Sequence, residues 1–137
     1  MKSLSSPRVV FVTARIAVGL VLFQFILAGT SLYVAPFFWG LHGAIGGTIA
    51  IPIVALLYQT RRNTSASPLR GSCWWLLVLY CVQVALAIIS GQPEMMALRV
   101  AHVSNAALAI SVSFHIVMRA KDFLIGSRVG VHSAERG

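Results

Sequence analysis

Four apolar stretches, each about as long as a bilayer core is thick, constrain this chain more than any other feature. A helix rising roughly 1.5 Å per residue needs about 20 residues to cross that core. The stretches fall at about residues 9–31, 37–58, 73–90 and 97–118. They predict an all-α integral membrane four-helix bundle over 1–118, made of two helical hairpins, with a basic tail over 119–137. Charge content agrees: 10% of residues are charged, where soluble domains carry roughly 25%. Signal-peptide apolar cores run only about 7–15 residues, and Ala28-Gly29-Thr30 is a poor cleavage site, so the first stretch is expected to remain as a span. Pro52 inside the second stretch predicts a kink.

The net charge of +8 is distributed by position. Ten of the eleven Lys and Arg lie in the leader, the middle loop and the tail, counting Arg15 with the leader, while the other two connections hold only Arg99. This asymmetry predicts both termini on the cytoplasmic side of a bacterial inner membrane. Arg15 is read as snorkelling to that surface. The basic residues do not form a patch with interleaved aromatics, which argues against nucleic acid as a partner. Cys73 and Cys81 are eight residues apart on one expected helix. That is about 12 Å of rise, too far for a disulfide, so both are read as packing residues.

The two hairpins repeat a polar pattern. Gln24 precedes His42 by 18 residues and Gln83 precedes His102 by 19, with Gly46 and Ala106 four residues after the histidines. Ionisable residues inside membrane spans are functional candidates by default. Spans two and four run parallel, which puts His42 and His102 at about one depth, roughly 7–8 Å below the outer helix ends. Two imidazoles so placed suit axial ligation of one haem b inside a helical bundle. Gly43, Gly46, Gly47, Ser104, Ala106 and Ala107 leave room for a flat macrocycle. Gln24 and Gln83 are placed to accept hydrogen bonds from the ligand rings, and Arg99 to pair with a propionate. The competing reading makes the same residues interhelix hydrogen-bond partners and close-packing positions, without any cofactor.

Other metal readings are thinner. His115 follows His102 by 13 residues, about 220° further around the helix, so it faces elsewhere. Position 55, at the matching depth of span two, is alanine, so a second bis-histidine haem is not offered. His132 falls in the tail. Met95 and Met96 beside His102 would suit Cu(I) as the alternative metal, though adjacent residues of a helix do not face one site. No nucleophile–base pair, phosphate loop or paired carboxylates is present, and no charged transport pathway is visible.

With Q-F-I-L-A-G, L-H-G-A-I-G and A-H-V-S-N-A-A in view, residues 10–118 resemble an uncharacterised bacterial family of small four-span membrane proteins. More distantly, the layout is similar to one half of haem A synthase and to four-helix b-type cytochromes. That likeness implies haem ligation by His42 and His102. Haem A synthase also relies on acidic residues near its haem, whereas Glu94 is the only carboxylate here outside the tail, and it sits in a loop. The expected role is electron relay or haem-based sensing, with the lipid bilayer and a redox partner or larger membrane complex as surroundings, and a homo-oligomer as one form. The alternative is a non-haem structural or accessory subunit.

Overall fold

The computed structural model describes residues 6–89 and 95–134, with side chains described up to residue 127. Glu94 and the side chains of Arg128, His132 and Arg136 lie outside the described residues. Within them the chain is all-α: α1 Pro7–Tyr33, α2 Phe38–Thr48, α3 Ala50–Arg62, a 3₁₀ turn Thr64–Leu69, α4 Arg70–Ile89 and α5 Met96–Ala134. Ser6 caps α1 by accepting from the Val9 N–H, with Pro7 in the first turn, where its missing N–H costs nothing.

Among the described residues, four helical units are long and apolar enough to span a bilayer, with α2 and α3 forming one of them. Their outward faces carry large hydrophobic side chains: Ile26 is 62% exposed, Ile51 70% and Ile88 76%. Apolar surface on this scale is stable only against hydrocarbon. The chain is a multi-pass membrane protein.

The second span is interrupted where its proline requires it. Pro52 has no N–H to offer the carbonyl four residues earlier, and the helix stops at Thr48 and resumes at Ala50. The Ile49 N–H turns back to the Gly46 carbonyl at 3.3 Å, a 3₁₀-type closure. From α4, the Tyr80 hydroxyl lies 3.3 Å from both the Gly46 and Gly47 carbonyls, so it serves as donor at the break. Tyr80→Phe removes that donor without changing shape. It is expected to cost about 1 kcal/mol, read as a melting temperature lower by a few degrees in detergent.

The break also changes what the second span packs against. Below it, α3 packs on both α1 and α4. Above it, the substantial packing of α2 among the described residues is against α1 alone, and α2 buries no residue. The apolar core therefore sits toward the basic end, built from Val10, Ala14, Ile53, Leu56, Cys73, Leu76, Ile116 and Ala120. Polar bonds close that end: Gln59 Nε2 donates to Thr13 Oγ1 at 3.1 Å, and Arg70 to the Thr60 carbonyl at 3.0 Å. Arg61 lies over Trp74 at 5.2 Å and Arg62 over Tyr58 at 5.4 Å, as at an interfacial belt. Arg15 is exposed and rests 5.7 Å from the Phe11 ring, in keeping with snorkelling.

α5 is longer than its apolar stretch. It runs 39 residues to Ala134, so residues 119–134, expected as a polar tail, continue the helix. They contain no proline to stop it, and isolated glycines such as Gly126 cost a helix only about 1 kcal/mol each.

Candidate functional site

Because α2 stands away from α4 and α5, the half of the bundle opposite the core holds a cavity of about 560 Å³. This lies within the roughly 300–1,000 Å³ of small-molecule and cofactor sites. Each span contributes to its wall: Gln24 and Gly29 from α1, His42, Gly43, Gly46 and Gly47 from α2, Tyr80 and Gln83 from α4, His102 and Ala106 from α5. The remaining wall is apolar, with Phe25, Ile88 and Val103 among its side chains. Ile88 and Val103 are also strongly exposed, so the cavity reaches the lipid-facing surface.

Six of the seven residues expected at a site thus line one cavity: His42, His102, Gln24, Gln83, Gly46 and Ala106. The seventh, Arg99, is exposed on α5 and is not among the residues lining the cavity. His115 is exposed and outside the cavity, as its angular position on the helix required. Met95 and Met96 are exposed and are not among the residues lining the cavity. Among the described residues no group of three or more His, Cys, Asp or Glu gathers at one point.

The two hairpins treat their histidines differently. In the second, Gln83 Nε2 lies 3.0 Å from His102 Nε2. Asn105 Nδ2 donates to the Leu79 carbonyl at 2.8 Å and to Gln83 Oε1 at 2.6 Å. An amide nitrogen only donates. The Leu79 carbonyl therefore fixes which way Asn105 faces, and Asn105 in turn fixes Gln83 with its oxygen inward and its NH₂ toward His102. Gln83 gives a hydrogen bond to the imidazole, where acceptance was expected from the sequence. His102 Nε2 is the acceptor, so its proton sits on Nδ1, and Nδ1 is buried without a hydrogen-bond partner.

In the first hairpin no such chain forms. Gln24 lies against Gly46, its Oε1 3.7 Å from where a Cβ would stand, an ordinary contact that an alanine would satisfy. The counterpart position carries that methyl as Ala106. Gln24 Nε2 and His42 Nδ1 are both buried without partners. The His42 ring meets Trp39 edge-on, with centroids 5.4 Å apart. Three buried polar nitrogens thus lack partners on the residues lining one cavity: His42 Nδ1, His102 Nδ1 and Gln24 Nε2. In a folded protein such atoms call for an explanation, and an absent ligand is one.

Asn105 was not singled out by the repeat pattern. It stands three residues after His102, hence on the same helix face. At the equivalent place after His42 stands Ile45.

Comparison with known proteins adds little chemistry. Residues 24–91 match the model of a family of unknown function (DUF6220), a segment of just under half the chain that runs from Gln24 past Gln83 and ends before α5. No curated protein matches the chain, and no solved structure does.

Proposed function

We propose that the cavity holds one haem b and that the protein is a small b-type cytochrome-like membrane protein. The observation that carries this reading is the arrival of His42 from α2 and His102 from α5 at one apolar cavity of cofactor size. The residues present fit the group. Gly43 and Gly47 line the cavity, and a Cβ added at either would meet nothing within 4 Å, so a flat ring has room against α2. His42 keeps a buried nitrogen without a partner, and burial among apolar side chains suits a ring whose faces exclude water. His42 and His102 are the residues that would hold the iron. When bound, haem supplies one-electron exchange or an iron that takes up a further ligand. The chain itself supplies ligation, an apolar enclosure and the hydrogen bonds that orient the rings. The basic end of the bundle faces the cytoplasm of a bacterial inner membrane in this reading, since Lys and Arg collect there.

A second reading has its own observation. The Asn105–Gln83–His102 chain is the kind of interhelix hydrogen bonding that locks membrane bundles, each bond contributing roughly 0.6–2 kcal/mol. It accounts for α4 against α5, but leaves Gln24 Nε2 and His42 Nδ1 buried for no purpose. That residue of unexplained burial favours a ligand.

Gly47→Leu separates the two. The side chain enters open space, so helicity and elution volume stay as in the parent. The haem reading predicts that the variant, expressed with ample haem, retains less than about a tenth of the parent's Soret absorbance, because the ring's place is filled. If the parent is coloured and Gly47→Leu is equally so, haem lies elsewhere.

A further inference from the structure

We propose, resting on the haem reading above, that the cavity is loaded sideways: haem dissolved in the bilayer enters from the hydrocarbon through the gap between α2 and α4. Of the neighbouring helix pairs that wall the cavity, α1 with α2, α1 with α5 and α4 with α5 pack extensively, whereas among the described residues α2 and α4 do not. The gap between them has a floor and two edges. Tyr80 reaches across from α4 to the Gly46 and Gly47 carbonyls, 3.3 Å from each, and closes the gap on the side of the core. Gly43 and Gly47 stand on the α2 edge, one turn apart, and Val84, Ala87 and Ile88 on the α4 edge. All five line the cavity and all five are exposed.

Residues that both line a cavity and are exposed mark where it meets its surroundings, and these lie within the spans. Gly43 adjoins His42, Val84 adjoins Gln83, and Gly47 is five residues past His42, about 7–8 Å deeper along a helix. The opening therefore meets lipid at the depth of the histidines. The connection over residues 34–37, at the outer end of the bundle, contributes nothing to the wall. The chemistry of the edges fits a passage from lipid. Gly, Val, Ala and Ile present no polar side chain to hydrocarbon, and Tyr80 supplies a donor to the carbonyls at the helix break. The polar side chains of Gln24, His42, Gln83 and His102 are all less exposed than these edges. The two edge glycines leave open space, since a Cβ at either would meet nothing within 4 Å. Apolar at its mouth and polar within, the gap admits a flat apolar ring from the bilayer without taking it through water.

The test follows growth of the Soret band when the full chain, free of haem, is reconstituted into phosphatidylcholine vesicles that already carry haem. Excess apomyoglobin in the surrounding water captures haem that leaves the bilayer, so it stops loading through water and spares loading through lipid. The expected result is an initial rate unchanged by the scavenger. Ala87→Trp sets an indole across the gap and should load about tenfold more slowly than the parent. Ile16→Trp, at a lipid-exposed position toward the basic end, should load at the parent's rate, which separates closing the gap from adding bulk to the surface. The scavenger arm needs no variant and carries the test should Ala87→Trp not fold or not hold haem. Loading abolished by the scavenger, or a well-folded Ala87→Trp that loads as fast as the parent, overturns the sideways route while leaving the haem reading intact. A parent that gains no Soret band even without scavenger overturns the haem reading, and this route with it, before any variant is made.

Discussion

His42→Ala is expected to abolish haem binding while leaving the bundle folded. The two halves of that expectation come from one observation. His42 is half-buried on the cavity wall, its Nδ1 is buried without a partner, and the ring stands outside the Asn105–Gln83–His102 chain of bonds. Its contact with Trp39 is an edge contact beside the cavity rather than part of the core at the basic end. Truncating it should therefore cost the apo-protein no more than about 1 kcal/mol of packing. For the cofactor the loss is far larger. Removing only a group that orients a metal ligand typically weakens metal affinity 10–100-fold, so losing the ligand itself should exceed about 100-fold. The check is haem content per chain by pyridine haemochrome beside a thermal melt followed by circular dichroism. A large fall in melting temperature, in a protein that never held haem, would make His42 a packing residue.

Asn105→Leu is expected to be the most damaging substitution to the bundle itself among the cavity's polar neighbours. Asn105 is 7% exposed and donates two hydrogen bonds from a single nitrogen, tying α5 to the α4 backbone and to Gln83. Losing both, with Gln83 Oε1 left unpaired, should cost about 2 kcal/mol. Gln83→Leu should cost a similar amount by stripping His102 and Asn105 of a shared partner. Because one chain of bonds is broken in either case, the double variant should fall short of the sum by about 1 kcal/mol, measured by unfolding in mixed micelles. Strict additivity would mean that the three side chains do not act as one network.

How much of this was legible in the sequence depends on the kind of information involved. Span positions follow from hydropathy, and the break at Ile49 follows from Pro52, because both are local consequences of backbone chemistry. The gathering of His42, His102, Gln24 and Gln83 on one cavity was also legible, since helical rise and parallel spans fix depth. What spacing did not fix was the direction of individual bonds. Gln83 was expected to accept from His102 and instead donates, because Asn105 claims its oxygen, and that depends on how α4 and α5 are rotated against each other. Arg99, three residues before His102 on α5, starts from the same helix face, and its long side chain is nevertheless exposed and off the cavity wall. The helix beyond residue 118 was missed because a fall in hydropathy marks the edge of a membrane, which is no reason for a helix to end.

The most direct test of the central claim is the visible spectrum of the detergent-purified chain, oxidised and then reduced with dithionite, after expression with ample haem. The account predicts a Soret band that shifts on reduction, with intensity equivalent to one haem per chain. A featureless spectrum in both states would contradict it, and His42 and His102 would then be left as polar residues of a structural bundle.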